Sequence, residues 1–87
     1  MTLEEIKNMI EKNVPESTAH IFDPMNDGQH LQAVVISPAF EGILLVKQHQ
    51  MVMNPLKDIL AKDIVHALGL KTMTPGQWLL EKDKYGF

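Results

Sequence analysis

The chain has 87 residues, with eight lysines and no arginine against eleven acidic residues, a formal net charge of −3, and no cysteine. The missing cysteine excludes disulfides, a thiol nucleophile and a self-contained thiolate metal site. Net acidity without arginine argues against duplex nucleic acid, whose affinity rests on neutralised phosphates and on the guanidinium fork that reads guanine.

The length suits a single domain over residues 1–87, one that buries roughly 60–65% of its unfolded surface. Its apolar runs, such as Ile43-Leu44-Leu45-Val46, are far short of a bilayer span, and the start Met1-Thr2-Leu3-Glu4-Glu5 is acidic, unlike a signal peptide. A cytoplasmic protein is the default expectation.

Thr2-Leu3-Glu4-Glu5 forms a capping box that opens a helix with Leu3, Ile6, Met9 and Ile10 at helical spacing, running to about Asn13. Val14-Pro15 ends it. Ser17 to Phe22 predicts a strand with Ala19 and Ile21 on one face and His20 and Phe22 on the other. After the dense turn signal Asp23–Gly28, residues His30 to Ile36 alternate Leu31, Ala33 and Val35 against Gln32, Val34 and Ile36. This second strand should pair antiparallel with the first.

Pro38 has no amide to donate and Gly42 favours a turn, so Ser37–Gly42 cannot continue a central strand. A short helix is predicted from Leu44 to Met53. Asn54-Pro55 then reads as an N-cap with a proline at the first helical position, starting a second helix whose stripe is Leu56, Ile59, Leu60, Ile64 and Ala67, to Leu68. Gly69 is the expected left-handed stop. Leu70 to Met73 predicts a third strand, and Thr74-Pro75-Gly76-Gln77 caps a last helix carrying Trp78 and Leu79 that fades by Lys84. The six methionines suit irregular core gaps better than a cofactor box.

Several of these stretches, taken together, resemble the BolA family: Val65-His66-Ala67-Leu68-Gly69-Leu70-Lys71-Thr72, with Asp27-Gly28-Gln29-His30, Phe40-Glu41-Gly42, Val46-Lys47-Gln48-His49 and Thr74-Pro75. The order is the family's, and the tail Lys82–Phe87 looks most like its short bacterial IbaG-type branch. The implied fold is α+β, α-β-β-α-α-β-α, a three-stranded sheet packed against helices in a K-homology-like arrangement. That order matches the elements read from the residues themselves.

In such proteins the histidine of the Val-His-Ala-Leu pattern ligates iron in a [2Fe-2S] cluster shared with a monothiol glutaredoxin, which makes His66 the first candidate ligand here. As an isolated residue, His66 would read as a helix-terminal cap favoured by the dipole. His30 occupies the loop position proposed for the second ligand, although an isolated histidine there more often simply sits on an edge strand.

Ligand count constrains the mechanism independently. A [2Fe-2S] centre needs four ligands, usually thiolates. A chain without cysteine must bring imidazole to a cluster whose thiolates come from elsewhere, in the family the glutaredoxin cysteine and glutathione. Imidazole must be neutral to ligate, so capture should weaken in acid. No cofactor is expected on the isolated chain, and without a His-x-x-x-His pair a self-contained zinc site is disfavoured.

His49 falls in the family's Arg-His pair with Gln48 replacing the arginine, and Ile43 stands where a lysine often follows Phe-x-Gly. These departures remove positive charge from the surface proposed to meet nucleic acid. Lys47, Lys57, Lys62 and Lys71 surround the predicted helix-turn-helix over Leu44–Leu68 and could line a partner or nucleic-acid surface with His49; a solvated helix face is the simpler reading of any one lysine. Gly42-Ile43-Leu44-Leu45 lacks the second glycine of the K-homology clamp. His20 reads as a strand residue. Ser17 and Ser37 lie in no nucleophile motif, so no enzyme is expected.

The leading expectation is therefore an adaptor, a monomer or weak homodimer by itself, sharing a cluster with glutaredoxin and glutathione. The alternative is a DNA-binding stress or transcriptional regulator.

Overall fold

Four consecutive apolar residues, Ala33-Val34-Val35-Ile36, cannot alternate between core and water, and the computed structural model, which describes residues 3–27, 30–58 and 68–87, buries all four. They belong to β2 (Gln32–Ile36), which lies between β1 (Thr18–Phe22) and β3 (Gly69–Met73) in a three-stranded sheet. β1 pairs antiparallel with β2, Ala19 opposite Val35, as the alternation predicts; β3 pairs parallel, with Thr72 opposite Val35. A parallel neighbour needs a long crossover. Here the chain between Ile36 and Gly69 supplies it.

One face of the sheet carries α1 (Leu3–Asn13) and α2 (Leu45–Lys57). Ile6, Ile10, Val52 and Leu56 pack there with Ala19, Ala33, Val35 and Phe40. Val34, Ile36 and Met73 on the other face are covered by Phe22, Trp78 and Tyr85. Trp78 comes from α3 (Pro75–Glu81), and a single 3₁₀ turn, Lys82–Tyr85, follows it. Thr74 opens α3 with the expected capping box: Gln77 N donates to Thr74 Oγ1 at 3.3 Å and Thr74 N to Gln77 Oε1 at 2.9 Å.

Three sequence expectations are corrected. Asn54-Pro55 does not break the middle helix; α2 runs through it to Lys57. Gln48, Val52 and Leu56, at i, i+4 and i+8, share a buried face, and this continuous stripe outweighs the ladder bond Pro55 cannot donate three residues from the helix end. Gly69 is not a left-handed stop but the first residue of β3, its N–H donating to Leu31 O at 2.8 Å. β2 starts at Gln32, leaving His30 in the preceding loop. The last helix carries Trp78 and Leu79 as expected; Leu79 is 67% exposed, because only the Trp78 side of α3 meets the sheet. The predicted stripe residues Ile59, Leu60, Ile64 and Ala67, and Thr2 of the first capping box, lie outside the described residues.

Gly42 takes φ +74° in the turn before α2, as its sequence context predicts. Glu16 takes φ +53°, a region that disfavours a side chain by roughly 1–2 kcal/mol. Glu16→Gly should therefore raise stability by about 0.5–1 kcal/mol, after subtracting the added freedom of the unfolded chain. A urea midpoint that falls instead would show that the Glu16 side chain makes a compensating contact.

Candidate functional site

Gln48 determines how the crossover sits on the sheet. Its side chain is buried on α2, where Nε2 donates to Ile43 O at 2.8 Å and Phe40 O at 3.3 Å, while Oε1 accepts from Thr72 Oγ1 at 2.7 Å. One amide thus joins the Phe40–Ile43 turn, α2 and β3. The residue that stands in place of a surface arginine is here an interior linker. Its spacing with Val52 and Leu56 was the available signal.

His30 is held from two sides by one carboxylate. The His30 amide donates to Asp27 Oδ1 at 3.0 Å, and ring Nδ1 lies 2.7 Å from Asp27 Oδ2. Asp27 is itself set by the preceding turn, with its amide donating to Asp23 Oδ1 at 3.3 Å and Asn26 at φ +53°. The His30 side chain is 62% exposed. With Nδ1 engaged by a carboxylate, Nε2 is the nitrogen available to a ligand, the arrangement typical of metal-binding imidazoles.

His66 and Lys62 lie outside the described residues. The described chain resumes at Leu68, two residues after His66, and Gly69 bonds the carbonyl of Leu31, the neighbour of His30.

The described residues of the expected patch lie on different surfaces. Lys47 lines a hollow of about 600 Å³ with Ile43, Leu44, Met51 and Pro55. His49 and Lys71 line a separate cleft of about 460 Å³ between α2, β3 and α3. Lys57 is exposed at the C-terminal end of α2. Among the described residues, no three His, Cys, Asp or Glu side chains gather as a metal site. No described helix is long and apolar enough to cross a membrane.

The role of His20 was not anticipated. Its ring stacks on Trp78 at 5.2 Å and meets Phe87 at 4.5 Å, while Phe22 stacks on Tyr85 at 6.0 Å, so the C-terminal segment folds back over β1. The alternation that puts His20 and Phe22 on one face was legible; three aromatics arriving from the far end of the chain were not. Burial, then the charge on Lys7, hold the His20 imidazole below its ordinary value, against the opposing pull of Glu11.

Glu11 Oε2 accepts from Lys7 Nζ at 2.8 Å and from the Ala19 amide at 2.9 Å, tying α1 to the outer edge of β1. Burial pushes this carboxyl up. The bonds from Lys7 and Ala19, with the charges of Lys7 and His20, more than offset it and leave the group below the usual carboxylate value.

The BolA-like protein family model matches residues 2–77. The chain belongs to the BolA family. It is 29% identical to the Escherichia coli acid stress protein IbaG, over 95% of both chains. The BolA fold is evident in its likeness to a bolA protein homologue from Coxiella burnetii, 39% identical with a TM-score of 0.74, covering 91% of this chain and 97% of that one. Mouse BolA1 matches with a TM-score of 0.70 and 26% identity, over 91% of this chain and 69% of its own. These matches bear out the α+β, BolA-like fold expected from the sequence.

Gln48→Leu should destabilise this BolA-family protein by about 2–3 kcal/mol, since buried carbonyls and the Thr72 hydroxyl lose their partner; a loss under about 0.5 kcal/mol in urea unfolding would contradict that role. The lowered His20 and Glu11 values also set a pH dependence. His20 contributes fully above its ordinary value near 6.5 and loses that contribution as pH falls through the folded value. Glu11 contributes above about 4.5 and loses it likewise on further acidification. The denaturation midpoint should fall in two stages in acid, His20→Phe abolishing the upper stage and Glu11→Gln the lower.

Proposed function

We propose that this BolA-family protein is a non-enzymatic adaptor that binds a monothiol glutaredoxin and shares or transfers a [2Fe-2S] cluster. Its contribution is imidazole: His66, with His30 as the second ligand. The observation that carries the reading is the Asp27–His30 pair, in which a carboxylate holds Nδ1 of an exposed ring and directs Nε2 outward.

The hydrogen bond from Gly69 to Leu31 supports pairing these two histidines. It fastens the residue after Leu68 to the residue after His30, and two residues of chain allow His66 a reach of only about 7 Å from Leu68. Four ligands are required and the chain holds no thiol, so the remaining donors are the glutaredoxin cysteine and glutathione. Imidazole on iron raises the potential of such a centre, which suits a cluster poised for handover.

Visible circular dichroism of a glutaredoxin–glutathione [2Fe-2S] complex titrated with this protein tests the reading. Wild type should produce a new spectrum, His66→Ala should lose it and His30→Ala should weaken it. Asp27→Asn keeps an acceptor for the His30 amide but removes the charge behind the ring, and should reduce capture roughly tenfold. An unchanged spectrum with folded wild-type protein would remove the shared-cluster reading. A spectral change indifferent to both histidines would remove the ligand assignment.

A further inference from the structure

The two outer edges of the sheet are treated differently. At the β1 edge the Ala19 amide is already bonded to the Glu11 carboxylate. The β3 edge has no such cover among the described residues. In a parallel ladder a residue's N–H and C=O point to the same side, and sides alternate along the strand. Gly69 N donates to Leu31 O and Met73 O accepts from Ser37 N, so residues 69, 71 and 73 are bonded toward β2. Leu70 and Thr72 therefore direct their backbone groups outward.

They open into the 460 Å³ cleft, lined by residues 70–73 of β3, Leu45 and His49 of α2, and Leu80 and Glu81 of α3. Consecutive strand residues alternate between faces, so a cleft that touches four in a row runs along the strand's edge. Its walls carry solvent-facing apolar side chains beside the polar His49, Gln77 and Glu81: Leu45 is 60% exposed and Leu80 86%. Lys71, at the centre of the edge, is exposed and has no ion pair among the described residues, whereas Glu81 is paired with Lys84 at 3.5 Å.

This charge selects the occupant. If a second copy used both Leu70 and Thr72 in a two-fold antiparallel pairing, Leu70 would oppose Thr72 and each Lys71 would face its symmetry mate across about 4.5 Å. Like charges directly opposite are destabilising. A strand with a carboxylate at that position gains an ion pair instead.

We propose that the β3 edge docks an extended segment of a partner protein, one with an acidic residue between two apolar ones, which adds as a fourth, antiparallel strand. Leu70 and Thr72 exchange backbone hydrogen bonds with it. Its central carboxylate faces Lys71 on the α3 side, and the two flanking apolar side chains lie on the α2 side against Leu45. The residues beyond them reach Leu80. This surface is independent of the cluster reading, since docking requires neither iron nor His30 or His66.

The test uses the intact protein and three capped peptides: acetyl-Ser-Thr-Val-Glu-Val-Leu-Ser-amide, the same peptide with lysine for glutamate, and the first peptide with alternate amides N-methylated. Amide exchange by NMR reads the edge directly. With the glutamate peptide, exchange at Leu70 and Thr72 should slow about tenfold. The lysine peptide should act more weakly and the methylated peptide not at all. Lys71→Glu should reverse the preference between the first two, and His66→Ala should leave it unchanged.

Unaltered exchange at both amides, or equal protection by the glutamate and lysine peptides, would overturn the proposal. So would protection that appears without peptide and grows with protein concentration, which would assign the edge to a second copy.

Discussion

The structure depends on a strand that must be hidden on every side. β2 takes ladder bonds from β1 and β3 and buries Ala33 and Val35 on one face and Val34 and Ile36 on the other. A sheet of three strands has a single central position, and the most apolar of the three strands occupies it. Both faces then require cover. α1 and α2 supply one side, and because they leave the other bare, the C-terminal aromatics Trp78 and Tyr85 must return to it. The long crossover follows from the parallel pairing of β3 rather than from any local signal.

Within that frame, polar side chains align the pieces. Gln48 holds the crossover turn and α2 against Thr72 of β3. Ser37 closes the end of β2, its hydroxyl donating to Pro15 O at 2.6 Å and accepting from the Ala39 amide at 3.1 Å. Glu11 fastens α1 to β1. Each such group is buried or half-buried with its partners satisfied, the condition under which interior polarity specifies an arrangement instead of weakening it.

The same frame explains where functional groups can be. A domain this small has no interior to spare, so its chemistry lies on loops and edges. The loop before β2 presents His30 with its carboxylate, and the first bond of the parallel ladder joins the start of β3 to the end of that loop. α2 separates Lys47 from His49 and Lys71, so the described cations do not make one broad basic face. This division, with the net negative charge, is unlike the continuous positive surface by which proteins track a phosphate backbone.

The sequence by itself determined the elements whose signals are local. Helical spacing of Ile6 and Ile10, the alternation of β1, the Thr74 capping box and the Gly42 turn are short-range preferences that the packed protein keeps. Family resemblance supplied the fold and the histidines, since motif order survives where composition says little. Only the tertiary structure decided matters that depend on residues distant in the chain. Pro55 lies within a helix because Gln48, Val52 and Leu56 share one buried face; Gly69 is extended because Leu31 accepts its amide. His20 meets Trp78 and Phe87 because both sheet faces needed cover, and Gln48 is a linker because Thr72 arrives opposite it. Local preferences amount to about 1 kcal/mol per residue or less, or about 3 kcal/mol for a helical proline, and the summed burial of several side chains with satisfaction of a buried polar group exceeds that. Where the two conflicted, packing prevailed.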